Sequence, residues 1–333
     1  MSIGAIVVLG ESYPMWLNPI GGHANRTDRL EHLAITPIAS LEILGLSALQ
    51  RTIQSFQRAG VEAISVVAED GAGHTASQMG SAQIFPVRRS SEVWPTAKHI
   101  FGHYVKNGVE TVLLARLGAY IEFDLVDLIR FHWEKRLPST RIIDHEGPLD
   151  FWALDVAACA KAGIEFDEMM AADNITRITS YNRARYVNRL SDAFCLRRFV
   201  VDAFLSRCSV KPPGKETKPG VWIDQSAQVD RRARIVAPAY IGPRAKIRAS
   251  ALITRFSNVE RGCEVDSGTA VDDSSILGNT YLGTWLDVSH AVVYGSNLAH
   301  LHHNLTIEIR DPRLIGRTAL DMRPRTMIGT RSP

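Results

Sequence analysis

Residues 232–250 read RARIVAPAYIGPRAKIRAS, and an aliphatic side chain recurs there at every sixth position: Ile235, Ile241 and Ile247. A strand facing one core repeats every two residues and a helix about every 3.6, so neither accounts for this spacing. Extended in both directions, the register takes in Ile223, Val229, Ile253, Val259, Val265, Val271 and Leu277. Two residues ahead of these positions, all but Ile223, the side chain is small: Ala227, Ala233, Ala239, Ala245, Ala251, Ser257, Cys263, Thr269 and Ser275. This is the hexapeptide pattern of a parallel β-helix. Three short strands make one triangular coil, the aliphatic residue points inward from each face, and the small residue sits where the chain turns a corner. Beyond Leu277 the spacing becomes irregular (Leu282, Val288, Val293, Leu298), which predicts a last, imperfect coil and a cap. The β-helix is expected over residues 221–300, with a C-terminal cap and tail over 301–333.

Ahead of it, KPPGKETKPG (211–220) has the Pro, Gly and charge of a linker. Upstream again, SDAFCLRRFVVDAFLSRC (191–208) spaces Phe194, Leu196, Val200, Val201 and Phe204 helically, with Ser191 as the expected N-cap. Residues 191–220 therefore form a helix and linker between two domains.

The first 190 residues have another rhythm. IGAIVVLG (3–10) reads as a buried strand, LSALQRTIQSFQRAG (46–60) as an amphipathic helix closed by Gly60, and VEAISVVAE (61–69) as a second strand. VWPTAKHIFGHYVKNG (93–108), VETVLLA (109–115) and DLVDLIRFHWEKR (124–136) continue as helix, strand and helix, the last capped by Asp124. Strand, helix, strand implies parallel crossovers and a doubly wound α/β sheet. Ligands of such sheets bind at the carboxyl ends of the strands, here after Gly10, Glu69 and Ala115.

Composition narrows the class. A chain of 333 residues with 45% hydrophobic residues can bury two cores. A formal charge of +3, with Lys and Arg scattered rather than striped, argues against nucleic acid as a partner. MSIGAIVVLGES has no basic n-region, and no run of 18 apolar residues occurs, so neither a standard secretion signal nor a membrane span is expected. Cys159, Cys195, Cys208 and Cys263 lack C-x-x-C spacing, which fits reduced thiols and a cytoplasmic protein.

An α/β domain whose first strand reads AIVVLG, joined by a linker to a hexapeptide β-helix, resembles the sugar-1-phosphate nucleotidyltransferases, or nucleotide-sugar pyrophosphorylases. The likeness covers nearly the whole chain. TPIASLEILGLSALQRTIQSFQRAGVEAISVV (36–67) is similar to that family's loop, helix and second strand, and TVLLARLGAYIEFDLVDLIRFHWEK (111–135) to its third major strand, metal loop and following helix. The resemblance implies a nucleotidyltransferase-like, Rossmann-like domain over 1–190 and a left-handed β-helix after it. It implies that a sugar 1-phosphate is joined to a nucleoside triphosphate with release of pyrophosphate, with Mg²⁺ as cofactor and a nucleotide or sugar phosphate as the small-molecule partner. The family is expected to carry a G-G-x-G-T-R phosphate loop, a Lys before a later Pro, and a metal-binding Asp. This chain has Gly10-Glu11-Ser12-Tyr13-Pro14, Thr36 before Pro37, and Leu117-Gly118 in those places. The expectation is a pyrophosphorylase-like protein of nucleotide-sugar or envelope polysaccharide metabolism, with atypical or lost catalytic residues.

Candidate phosphate ligands are Gly10, Glu11 and Ser12 at the first strand end, with Gly21, Gly22, Arg26 and Arg29 in the insertion GGHANRTDRLEHL (21–33), since Arg and backbone amides suit an anion. The alternative is a solvated loop. Glu11, Glu69, Asp70 and Glu122 are acids at strand ends, and their spacing assigns no metal site. A second hypothesis places chemistry in the β-helix. Many hexapeptide proteins are acyltransferases that use a histidine general base, and His290, His300, His302 and His303 are the candidates here, His290 and His300 foremost. A third makes the chain a non-catalytic regulatory or scaffold subunit. Solenoid flanks that self-associate would make it a homo-oligomer.

Overall fold

In the computed structural model of the protein the described residues are 2–9, 32–33, 36–69, 81–162, 166 and 178–318. They fall into two compact units. The first comprises Met1–Leu41, Leu46–Phe199 and Arg207–Ser209, the second Glu42–Gly45, Val200–Ser206 and Val210–Pro333. Among the described residues no helix is long and apolar enough to cross a membrane.

The first unit is built on a seven-stranded sheet: β1 (Ile3–Leu9), β2 (Ala63–Glu69), β3 (Gln83–Val87), β4 (Thr111–Arg116), β5 (Ser139–Asp144), β6 (Gly147–Asp155) and β7 (Ile178–Tyr181). Their spatial order is β7-β5-β6-β4-β1-β2-β3. All pairings are parallel except those of β6, which is antiparallel to both β4 and β5. β1 reads as an unbroken apolar run because both its faces are covered. Helix α1 (Ala48–Arg58) starts at a capping box. Ser47 Oγ accepts from the Gln50 amide, and the Gln50 side chain accepts from the Ser47 amide. Its Phe56 meets Phe151 of β6 edge-on at 5.9 Å between centroids. Helix α2 (Val93–Lys106) packs its Trp94, Ala97, Ile100, Phe101 and Tyr104 into a cluster with Ile6, Val8, Leu114 and Trp152. Helix α3 (Leu125–Lys135) is capped by Asp124, which accepts from the Asp127 amide. Strands β3, β5, β6 and β7 were not visible in the sequence pattern. The β5–β6 hairpin turns at Asp144, which accepts from the Glu146 amide, and at Gly147, whose φ of +125° suits glycine.

Helix α4 (Val156–Ala162) follows β6, and α5 (Ala193–Phe204) occupies the stretch expected to be helical over 191–208. Its N-cap is Asp192 rather than Ser191: Asp192 accepts the Cys195 amide at 2.7 Å, so the carboxylate one residue later takes the capping role.

The second unit contains three ladders of short parallel strands, the arrangement of a β-helix. One face stacks Val221–Ile223, Ala239–Ile241, Ser257–Val259, Ser275–Ile276 and Ala291–Tyr294. A second stacks Gln228–Val229, Lys246–Ile247, Glu264–Val265 and Thr280–Leu282. The third stacks Arg234–Ile235, Leu252–Thr254, Ala270–Asp272 and Asp287–Ser289. Ile223 lies over Ile241 and Ile241 over Val259, eighteen residues per coil. Val259 then pairs with Ile276, Val265 with Leu282 and Val271 with Val288, seventeen residues on. The inward residue is therefore Ile276, not Leu277, and Ser274 rather than Ser275 holds the small position. One residue is missing from the corner after Val271, where Asp273 turns with φ +44°. Leu282 and Val288 then resume the six-residue spacing, and the same corner one coil later, where His290 turns with φ +49°, drops a second residue and brings Val293 over Ile276, so the apparent irregularity is two slips in phase.

The small position does more than avoid a clash. Ser274 Oγ donates to the Val288 carbonyl at 3.2 Å and accepts the Ala291 amide at 3.0 Å, while the Ser274 amide donates to Ser257 Oγ. Thr269 Oγ1 accepts the Leu286 amide in the same way. Fully buried corners thus find partners for backbone groups that the turn would otherwise orphan.

Both ends of the ladders are closed by antiparallel strands. Lys215–Lys218, inside the stretch read as a linker, pairs with Val221–Ile223, and its charged, exposed residues protect that edge. Asn297–His300 and Leu305–Glu308 extend the first face in a meander. Ile315–Arg317 covers Thr280–Leu282 and brings Ile315 into the core.

Candidate functional site

In the first unit the strand order reverses at β1. β2 and β3 lie on one side of it and β4 on the other, so the crevice outside the carboxyl ends of β1 and β4 is the topological switch point where such sheets bind ligands. Gly10, Glu11, Ser12, Gly21, Gly22, Arg26 and Arg29, proposed from sequence as phosphate ligands, lie outside the described residues, as do His23 and Asp70. What the structure places at this end of the sheet is the close of β4.

β4 runs one residue further than its apolar pattern suggests and ends in Arg116. The Leu117 amide donates to the Val8 carbonyl at 2.9 Å, which fastens the start of the following loop to β1. Arg116 Nη1 donates to Asp150 Oδ2 at 2.8 Å, and Arg141 Nη2 donates to the other oxygen, Oδ1, at 3.2 Å. Arg141 is further held by Nε donating to the Leu149 carbonyl, and its guanidinium lies over the Trp152 ring at 4.8 Å. These contacts fix a planar, permanently charged group on a rigid strand, the arrangement suited to an oxyanion. The three side chains carry a formal charge of +1 between them. Sequence reading missed all three. The available signal was an arginine ending the buried run TVLLAR, with a second arginine and an aspartate on the neighbouring strands.

The strand-end acids serve local structure. Glu69 accepts from Ser90 Oγ at 2.6 Å. Glu122 accepts from the amide and hydroxyl of Ser209, both at 2.7 Å, and from the Tyr120 hydroxyl at 2.9 Å. Burial, with Glu122 adding to it, pushes the Tyr120 phenol well above its ordinary range. Gly118 offers no side chain where the resembled family has a metal-binding Asp. Among the described residues no three His, Cys, Asp or Glu side chains are placed to hold a metal ion; the strand-end acids Glu11 and Asp70 lie outside them.

In the second unit the histidines do gather. Strand Asn297–His300 ends at His300 and the chain turns over 301–304, so His302 and His303 lie beyond the strand that carries His300. The turn places His303 against His300, 4.6 Å between centroids, and His302 within 5.3 Å of His303 and 6.1 Å of His290. His290 Nδ1 lies 2.8 Å from Asp273 Oδ2. That carboxylate holds the Nδ1 proton and leaves Nε2 as the basic nitrogen. The His303 amide donates to His300 Nδ1, and partial burial followed by the neighbouring imidazoles lowers the His300 pKa.

No protein-family model matches the chain, and none of the curated proteins it was compared with matches either.

Proposed function

We propose that this chain is a nucleotide-sugar pyrophosphorylase-like protein that receives the anionic phosphate of a nucleotide or sugar phosphate at the crevice between β1 and β4, with atypical or lost catalytic residues. The observation that carries this reading is Arg116, a strand-held guanidinium at the switch point of the sheet. On this reading its positive charge would serve an anionic ligand. The hexapeptide ladders that follow support the same reading. No catalytic step is assigned to a metal.

The test has two parts, both made with and without Mg²⁺. Thermal shift against nucleoside triphosphates, nucleotide sugars and sugar 1-phosphates should show stabilisation by at least one, reaching about 2.7 kcal/mol at a ligand concentration 100 times Kd, and Arg116→Ala should abolish it. Pyrophosphate release from the same mixtures then separates an atypical enzyme from a binding subunit. If no nucleotide or sugar phosphate stabilises the chain, the reading is wrong.

A second reading, acyl transfer, is favoured by one observation only, the Asp273-oriented His290. It predicts stabilisation by an acyl-CoA and loss of acyl transfer in His290→Ala.

A further inference from the structure

The second unit contains a carboxylate with no exposed surface. Glu260 follows the inward Val259 on the first face and is completely buried. Its Oε1 accepts the Leu44 amide at 2.6 Å and the Asn258 Nδ2 amide at 2.7 Å, and its Oε2 accepts the Gly45 amide at 3.0 Å. Leu44 and Gly45 belong to a segment more than two hundred residues away in sequence, Glu42–Gly45, which lies in this unit although the chain on either side of it does not. The segment is shaped for the contact. Leu44 and Gly45 both have positive φ, +50° and +80°, which turns successive amides toward one acceptor. A Cβ on Gly45 would come within 2.5 Å of the Pro213 ring and 3.0 Å of the Tyr240 hydroxyl. At the segment's other end Glu42 pairs with Arg261 Nε at 2.9 Å.

We propose that Glu260 is a proton-controlled clasp: protonated, it holds the Glu42–Gly45 segment tightly on the parallel ladders, and ionised, it holds it less well. The groups that face it set the direction. Glu42 approaches from the segment itself and opposes a second negative charge. From the neighbouring strands and corners come Tyr240 and Cys263, neither of them a cation at neutral pH, and the Tyr240 hydroxyl is buried without a partner. The cation on the adjacent residue, Arg261, is committed to Glu42. Burial therefore outweighs the three N–H donors and pushes the Glu260 carboxyl up to about 7. A carboxyl raised in the docked state and ordinary in the released state binds an extra proton on docking. Docking is tightest below the ordinary carboxylate range and weakens as pH rises through about 7. The segment leads directly to Ser47, the N-cap of α1, so its release would free the entry to that helix.

Amide hydrogen exchange of the intact chain tests this. The protection factors of Leu44 and Gly45, corrected for the intrinsic rate, should fall on the order of 50-fold from pH 5 to pH 8, while that of Ile241, deep in the ladder, stays level. In Glu260→Gln, which keeps the shape and removes the titration, the slope at Leu44 and Gly45 should vanish. A level wild-type profile, or the same slope in the variant, would overturn the proposal. Should the variant fail to fold, carboxyl ¹³C titration of Glu260 in the wild-type protein decides: a midpoint near 7 sustains the clasp, and a midpoint below 5 refutes it.

Discussion

Asp150 bridges Arg116 and Arg141 with all three side chains no more than 16% exposed, so its charge has little water to replace it. Asp150→Asn keeps the volume and leaves two guanidinium groups facing a neutral amide. Removing one partner of a fully buried pair costs about 3–5 kcal/mol. With this degree of exposure we expect about 2 kcal/mol, read as a lowered urea midpoint of the first unit. Because the change removes a negative charge from that strand end, inorganic phosphate should restore more stability to the variant than it adds to the wild type. An unchanged midpoint would mean the trio is a solvated surface cluster. These residues were hard to read in sequence because the signal is spatial: three residues on three strands become neighbours only once β6 is known to run antiparallel between β4 and β5. The slip from Leu277 to Ile276 was hidden for a related reason. Both residues are aliphatic, and only cross-coil pairing shows which one faces inward.

At the scale of elements the ladder was the most legible part of the chain. Its period is fixed by a geometric constraint that every coil repeats, so a single sequence contains many independent readings of the same rule. The strands and helices of β1, α1, β2, α2 and α3 were legible through caps and continuous apolar runs. The β5–β6 hairpin was not, since RIIDHEGPLDFWAL lacks both strict alternation and a long apolar run, and neither were the short strands β3 and β7. The repetition of the ladder also predicts where it is vulnerable. Ile253 has no exposed surface and is stacked between Ile235 and Val271. Ile253→Ala should cost about 3–4 kcal/mol because inward residues above and below cannot close the cavity without breaking their own strand pairing. Arg234→Ala, at an exposed position on the same face, should fall within about 0.5 kcal/mol of wild type. Equal losses at the two sites in chemical denaturation would contradict the inward assignment.

Among the described residues, His132 in the first unit and Glu260 in the second are buried groups whose effects on stability have opposite sign between acid and neutral pH. His132 of α3 is buried, with Nδ1 bonded to Thr140 Oγ1 at 2.8 Å and Nε2 without a partner. Burial lowers its pKa to about 4 against a slight opposing pull from Asp155. A histidine depressed on folding contributes stability that is present above its ordinary value of about 6.5 and is lost as pH falls through about 4, because the unfolded chain takes up the proton first. Glu260 behaves in the reverse sense. Its pKa is raised on folding, so its contribution is greatest in acid and declines between the ordinary carboxylate value and about 7. Acid should therefore loosen the first unit while tightening the second, by on the order of 2 kcal/mol each between pH 7 and pH 4.5. Urea titration followed by hydrogen-exchange mass spectrometry separates peptides of the two units and reads both slopes in one sample. In His132→Asn, whose amide can still reach Thr140, the acid slope of the first unit should flatten and that of the second should not change. Parallel slopes in the two units, or a first unit indifferent to the substitution, would show that neither buried group governs the pH response.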